Sequence, residues 1–179
     1  MKNLILIDSI NKLPSQLQHT PIQKLFEFHN LGVVHNEYQT PQLTIGTCMD
    51  YRVVFRIPDK FAYIIRNGGG RLDYSNFHLA YSIAVGQVKA IAVIGHTDCG
   101  MINLEGQKHK FVEGLSNSLH WAEVKTTEFF DKLAPENEIH DEINFTLMQT
   151  KELREKFPNI IIAPIIFDVK DTFLYLIEE

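Results

Sequence analysis

The sequence has little of several features that mark particular classes of protein. Two cysteines among 179 residues are too few for the disulfide framework of a small secreted domain. The longest apolar run, residues 160–167, contains Pro164 and is far too short to span a bilayer. We therefore expect a protein that does not associate with membranes.

Positive charge is also scarce. Lysine and arginine number 17 against 22 aspartates and glutamates, so the formal net charge is -5, and no basic stripe is present. Binding to nucleic-acid phosphates depends on such stripes, so we expect no nucleic-acid partner. Residues 1–10 contain an apolar run that is broken by Asp8 and lacks a small-residue cleavage site. This start predicts a soluble, cytoplasmic protein.

The length and composition fit one compact domain, since 45% of the residues are hydrophobic and 22% are charged. We predict a single domain over residues 1–179, with an N-terminal helical arm at 1–40 and an α/β core at 41–179. Within the arm, apolar residues recur at loosely helical spacing: Leu17, Ile22, Leu25 and Phe26. This pattern predicts one or two short helices that dock on another surface, and a partner subunit is a candidate for that surface.

Beyond residue 40, short apolar runs alternate with helical patterns. Strands are predicted at residues 43–47, 61–65, 90–94, 160–167 and 173–177, the last of them antiparallel. One predicted helix carries an apolar face made of Phe77, Ala80, Tyr81, Ala84 and Val85. A second runs from about Ile139 to Phe157, before Pro158. The alternation predicts an α/β fold with a mostly parallel central β-sheet flanked by helices.

Both cysteines lie close to predicted strand ends. Cys48 and His96 each follow a predicted strand, and Cys99 comes three residues after His96. In parallel sheets the chemistry lies at the carboxyl ends of strands. Zinc prefers thiolate and imidazole ligands, and a catalytic site keeps one position open. Cys99 is expected to begin a helix, whose N-terminus would favour its thiolate. Buried structural cysteines and a structural histidine are an equally weighted interpretation.

Asp50 and Arg52 follow Cys48 at a spacing of two residues. If the strand conformation continues past Cys48, the two side chains share a face and pair, which keeps the carboxylate ionised. Such a carboxylate can accept a hydrogen bond from metal-bound hydroxide, or it can occupy the fourth metal position. The alternative interpretation is a structural ion pair.

A glycine-rich turn, Arg66-Asn67-Gly68-Gly69-Gly70, follows the second predicted strand. It matches neither of the common phosphate-binding motifs, so a turn that lines a small pocket, with Gly68 and Gly69 as pocket residues, is the better interpretation. The remaining histidines have no matching ligand nearby in sequence and are interpreted as surface or structural residues: His19, His29, His35, His78, His109, His120 and His140.

Taken together, three motifs resemble the β-class carbonic anhydrases. They are Cys48-x-Asp50-x-Arg52, the strand leading into Arg66-Asn67-Gly68-Gly69, and His96-x-x-Cys99-Gly100. The likeness covers residues 43–104 in detail and extends to the pattern of 139–177, although Gly68 stands where the family usually has alanine. The resemblance implies that Cys48, His96 and Cys99 ligate Zn²⁺ and that Asp50 and Arg52 form a catalytic dyad. It also implies a homodimer or higher homo-oligomer, with N-terminal helices packed across the interface.

The resemblance further implies an enzyme, a carbonate dehydratase of the lyase class. Metal-bound hydroxide would hydrate carbon dioxide reversibly to bicarbonate and a proton, with Asp50 orienting the hydroxide and Arg52 fixing Asp50. Three alternatives remain open: a hydrolase of carbon disulfide or carbonyl sulfide on the same scaffold, a zinc-bearing regulatory protein without turnover, and a nucleotide-binding domain suggested only by the glycine turn.

Overall fold

A computed structural model describes residues 4–34 and 37–179, and in these ranges six strands form one mixed sheet surrounded by five α-helices. The strands are β1 (Leu4–Leu6), β2 (Leu43–Cys48), β3 (Ala62–Asn67), β4 (Ala90–His96), β5 (Ile161–Phe167) and β6 (Leu174–Ile177). The helices are α1 (Pro21–His29), α2 (Asn76–Ala84), α3 (Lys108–Leu119), α4 (Glu123–Asn137) and α5 (Glu142–Lys156). Among these described residues, no helix combines the length and the apolar composition needed to cross a bilayer.

The strand order across the sheet is β1-β6-β5-β4-β2-β3. The four strands from β5 to β3 are parallel, and β6 pairs antiparallel with both β5 and β1. This arrangement confirms the predicted α/β fold with a mostly parallel sheet and its antiparallel last strand. Strand β1 was not predicted, because three residues are too few to show a period.

Two apolar layers cover the sheet, one on each face. In β4, Ala90, Ala92 and Ile94 point into one layer, whereas Ile91 and Val93 point into the other. Helix α1 packs in the first layer, and α2 and α5 pack in the second. All seven residues of β4 are buried, as expected for a parallel strand covered on both faces. The strand ends are therefore held between two packed layers.

Helix α1 docks on the sheet of its own chain. The Thr20 side chain caps the N-terminus of the helix by accepting a hydrogen bond from the Ile22 amide. Pro21 occupies the first turn, where its missing N–H is tolerated. Leu25 and Phe26 are fully buried in the first layer. This face of α1 is therefore covered by the core of its own chain, and packing of the segment across a subunit interface stays a prediction.

The predicted apolar face of α2 points outward, which corrects the sequence interpretation. Phe77 is 77% exposed and Tyr81 is 50% exposed. The buried side of the helix carries Leu79 and Ser82 instead, and the Ser82 hydroxyl accepts a hydrogen bond from the Thr44 hydroxyl at 2.7 Å. A pattern of apolar residues does not reveal a buried serine that has such a partner. The periodicity therefore predicted the helix correctly but assigned the wrong side of it to the core.

His29 is a buried histidine with both ring nitrogens engaged. Its Nε2 donates to the Thr172 carbonyl at 2.8 Å, and its Nδ1 accepts from the Arg56 amide at 3.0 Å. Only the neutral ring can accept at Nδ1. Burial is the main reason that the pKa of His29 falls from 6.5 to about 4, and the nearby Arg56 charge lowers it further. The neutral ring thus joins α1 to the loop after β2 and to the turn before β6.

We predict that acid destabilises the fold through His29. The pKa is lower in the folded than in the unfolded chain, so this stabilisation is complete above pH 6.5 and is lost as the pH falls toward 4. At 1.36 kcal/mol per pKa unit, the contribution to the free energy of unfolding falls by about 3 kcal/mol over that range. Chemical denaturation at a series of pH values measures it.

The matched variants are His29→Gln and His109→Gln, because the His109 side chain is 95% exposed. The first should unfold more easily at neutral pH yet lose this share of the acid dependence, and the second should keep the wild-type profile. An unchanged acid dependence in His29→Gln would show that His29 is not the group responsible.

Candidate metal centre

The structure brings the three predicted metal-binding side chains together at one end of the sheet. Cys48 is the last residue of β2, His96 is the last residue of the neighbouring strand β4, and Cys99 lies in the turn that follows β4. One ligand atom from each lies within 4.8 Å of the other two, and all three residues are buried. The two Sγ atoms are 4.0 Å apart, and both cysteines are free.

The donor set fits a tetrahedral zinc ion. Two sulfurs each 2.3 Å from such an ion lie roughly 3.8 Å apart, close to the separation of the Cys48 and Cys99 sulfurs. The Nδ1 of His96 lies 2.9 Å from the Thr97 carbonyl and therefore carries the proton. The Nε2 of His96 is buried and has no hydrogen-bond partner among the described residues. The lone pair of Nε2 is therefore available to a metal. A hydrogen bond from the other ring nitrogen to a backbone carbonyl normally fixes this tautomer in metal-binding histidines.

The protonation of the cluster is uneven. A hydrogen bond from the Cys99 thiol is the main reason that the pKa of Cys48 falls to about 4, against the opposing effect of burial. The same contact, together with burial, raises the pKa of Cys99. Burial alone would lower the pKa of His96, but its interactions with the Cys48 thiolate raise it. One thiolate is thus available, and a divalent cation would have to displace the proton of Cys99.

Cys99 does not begin a helix, contrary to the expectation from sequence. The chain turns after Cys99, and α3 begins only at Lys108. Left-handed backbone at Asp98 and Asn103 interrupts the segment on both sides. No helix N-terminus therefore favours the Cys99 thiolate. Instead, the Cys99 amide donates to the Glu142 carboxylate at 3.3 Å.

Asp50 and Arg52 pair as predicted, although by a different route. The strand ends at Cys48, and the pair forms in a turn in which the Arg52 amide donates to Asp50 Oδ1 at 2.9 Å. Within the guanidinium of Arg52, Nε donates to Asp50 Oδ1 at 3.0 Å and Nη2 donates to Asp50 Oδ2 at 2.8 Å. These hydrogen bonds lower the pKa of Asp50 to about 2. The ionised carboxylate lies beside the metal donors, with Oδ2 3.9 Å from His96 Nε2.

Three polar side chains around the centre were missed by sequence reasoning. Arg66 donates to the carbonyls of Cys48 at 3.1 Å and Val53 at 2.8 Å, which holds the loop after β2 in place. Glu142 binds the Cys99 amide, and Asp98 binds Arg52. Arg66 and Asp98 lie within the motifs described above. Their hydrogen-bond partners depend on loop conformations, which cannot be predicted from the spacing of residues in the sequence.

The glycine turn borders an apolar cavity of about 300 Å³. Gly69 and Gly70 have φ values of 65° and 73°, in the left-handed region that glycine tolerates. A Cβ on Gly68 would lie 3.3 Å from the Met101 sulfur, whereas one on Gly69 would meet Ile139. The cavity is lined by Met49, Gly68, Met101, Leu104, Phe111, Phe129, Phe130, Leu133, Ala134 and Asn137. Gly68 therefore lies at a pocket as predicted, Gly69 packs outside it, and the apolar surroundings disfavour a phosphate.

The other histidines lie outside the cluster. His29 is structural, as described above, and five are exposed: His19, His78, His109, His120 and His140. His35 lies outside the described residues.

Comparisons with known proteins agree with this geometry. Residues 43–171 match the family model described as carbonic anhydrase. Among solved structures, a carbonic anhydrase from Streptococcus mutans is 23% identical, with a TM-score of 0.59 over 83% of this chain and 90% of its own. One from Glaciozyma antarctica is 22% identical, with a TM-score of 0.60 over 90% of this chain and 98% of its own. The apo form of a carbon disulfide hydrolase is 23% identical, with a TM-score of 0.52 over 77% and 79%.

The family match covers well over half of the chain, so the protein belongs to the β-class carbonic anhydrase family. The solved structures, all under 25% identical, establish the shared fold. No curated protein sequence matches the chain significantly.

We predict that His96→Gln lowers the affinity for added Zn²⁺ by more than about 100-fold, because the loss of a direct ligand should exceed the 10- to 100-fold cost of losing an outer hydrogen-bond partner. Competition with a chromophoric chelator measures the affinity. His140→Gln is the matched control, since His140 is exposed. Equal Zn²⁺ affinity in both variants would contradict the assignment of His96 as a ligand.

Proposed function

We propose that this protein is a zinc-dependent carbonic anhydrase, which interconverts carbon dioxide and water with bicarbonate and a proton. One observation carries the proposal: the donors of Cys48, His96 and Cys99 converge beside the carboxylate of Asp50, which Arg52 holds ionised. Structural zinc sites usually close with four protein ligands, whereas catalytic sites keep three and an open position. The cluster of metal-binding groups found in the described residues has three members.

Each residue has a separate role in the proposed reaction. Cys48, His96 and Cys99 hold the metal, which when bound supplies the Lewis acidity that makes water nucleophilic near neutral pH. Asp50 accepts a hydrogen bond from the attacking oxygen and so directs a lone pair of that oxygen toward carbon dioxide. Arg52 keeps Asp50 ionised and oriented. The proton released by the reaction leaves to solvent.

A second candidate function is the hydrolysis of carbon disulfide or carbonyl sulfide. Two observations favour it. The fold is shared with a carbon disulfide hydrolase. In addition, Met101 lines the apolar cavity and also packs against the buried side chains of Cys48 and Cys99. Methionine and aromatic side chains form a suitable lining for an uncharged sulfur compound. The same donor set would serve either reaction.

Stopped-flow carbon dioxide hydration on protein of measured zinc content tests the main proposal. Activity proportional to zinc occupancy supports carbonic anhydrase function. Sulfide release without carbon dioxide hydration supports the sulfur substrates instead. If fully zinc-loaded protein turns over neither substrate, the protein is a zinc-bearing member of the family without these activities.

We predict that Asp50→Asn leaves zinc bound but lowers kcat for carbon dioxide hydration by at least about 100-fold. Asparagine keeps the size of the side chain, but its loss of charge removes both the strong acceptor and the pairing with Arg52. Stopped-flow kinetics and metal analysis of the same samples measure the two effects separately.

The matched control for this variant is Asp59→Asn, because Asp59 is exposed and lies just before β3, outside the turn that carries Asp50 and Arg52. It should behave as wild type. Near-normal turnover by Asp50→Asn would exclude the proposed role of Asp50.

We also propose a homodimer that forms along β3. This strand lies at the edge of the sheet, with a neighbour on one side only among the described strands. Ile64 of β3 is 44% exposed and lies between two groups of exposed apolar side chains, one with Tyr51 and Val54 and the other with Phe77 and Tyr81. A long apolar edge is an aggregation hazard unless it is covered. A second copy, paired edge to edge, would cover it.

We predict that light scattering gives twice the mass of one chain for the wild type and a single-chain mass for the double variant Phe77→Asp/Tyr81→Asp. Both side chains are at least half exposed, so the fold should tolerate the change. Val124→Asp, at a residue that is 70% exposed on α4, should remain dimeric. A monomeric wild type, or a double variant that stays dimeric, would contradict this interface.

A further inference from the structure

Arg52 contacts a second aspartate besides Asp50. Its Nη1 donates to Asp98 Oδ2 at 2.8 Å, and its Nη2 donates to the Asp98 backbone carbonyl at 2.8 Å. Asp98 lies in the turn between His96 and Cys99. One guanidinium therefore links the loop that follows Cys48 to the turn that carries Cys99.

The geometry of the guanidinium couples the two aspartates. Its nitrogens lie in one rigid plane, so the position of one edge sets the position of the other. Nε and Nη2 engage both carboxylate oxygens of Asp50, while Nη1 reaches Asp98. Asp98 has a φ of 57°, a left-handed conformation that aspartate tolerates better than most residues. The turn thus brings both a carboxylate and a carbonyl of one residue to Arg52.

The contact with Asp98 contributes to orientation more than to stability. The Asp98 side chain is 76% exposed, and ion pairs this exposed contribute little to the stability of a fold. If Arg52 were bound to Asp50 alone, the two side chains could move as a unit. Asp50 Oδ2 is already 3.9 Å from His96 Nε2, so a small movement would bring it to the metal.

We propose that Asp98 is a positioning residue, which anchors Arg52 so that Arg52 keeps Asp50 off the open coordination position of the metal. The inference rests on the proposed function, because it assumes a metal held by Cys48, His96 and Cys99. It assigns a role to a residue that neither binds the metal nor touches the attacking oxygen.

The inference is tested by binding of thiocyanate to Co²⁺-loaded protein, which visible absorption measures. An added anion can bind the metal only if its open coordination position is not occupied by Asp50. Asp98→Ala should weaken thiocyanate binding and lower kcat, each by about 10- to 100-fold. Its metal content should stay at the wild-type value, and its melting temperature should fall only slightly, because alanine tolerates the left-handed backbone at residue 98 less well than aspartate does. Asp98→Asn keeps an oxygen that can accept from Nη1 and should recover part of the loss. Asp131→Ala removes another exposed partner of an ion pair, with Lys108, and should match wild type.

The Asp50→Asn background supplies the decisive comparison. If Asp98 acts through Asp50, then Asp98→Ala should change thiocyanate affinity less than 2-fold in that background, because residues in one network are not additive. Fully additive effects, or unchanged thiocyanate affinity in the Asp98→Ala single variant, would overturn the inference. Wild-type protein that binds Co²⁺ and thiocyanate but does not hydrate carbon dioxide would refute the proposed function alone.

Discussion

The parallel pairing of β2 with β4 is the constraint on which the site depends. The register places Thr47 opposite Ile94, so Cys48 and His96 emerge at the same end of the sheet. Because side chains alternate along a strand, a slip of one residue would turn Cys48 to the other face. Gly95 allows α5 to pack closely at this point, since a Cβ there would overlap the Thr146 hydroxyl. The core thus fixes two donors before any loop contributes.

The loops then supply the groups that the strands cannot. Cys99 comes from the turn after β4, and its amide is held by Glu142 at the start of α5. Asp50 comes from the turn after β2, which Arg66 holds through the carbonyls of Cys48 and Val53. A buried imidazole nitrogen without a partner normally costs free energy. At His96 the cost is explained if the nitrogen is kept for a metal.

Sequence reasoning succeeded where a local pattern is sufficient. The strands beyond residue 40 and helix α5 follow from apolar runs and period, and the convergence of Cys48 with His96 follows from their position at strand ends. It failed where the outcome depends on distant contacts. The inward face of α2 depends on the pairing of Ser82 with Thr44, and the turn at Cys99 depends on left-handed backbone at Asp98. The surface that α1 covers was left open by the sequence, because the sheet face on which it packs is created only by the whole chain.

Under the proposed function, the choice of substrate would depend on a different part of the molecule from the metal chemistry. The cysteine and histidine donors, with Asp50 and Arg52, would activate water equally for carbon dioxide or for its sulfur analogues, so they do not discriminate between them. Discrimination must come from the space through which the substrate approaches. The apolar cavity beside Met101 is lined mainly by α4, which contributes Phe129 and Phe130, and α3 contributes Phe111. This helical pair lies in the middle section, which the family motifs do not cover, so the residues that would select the substrate under the proposed function are expected there.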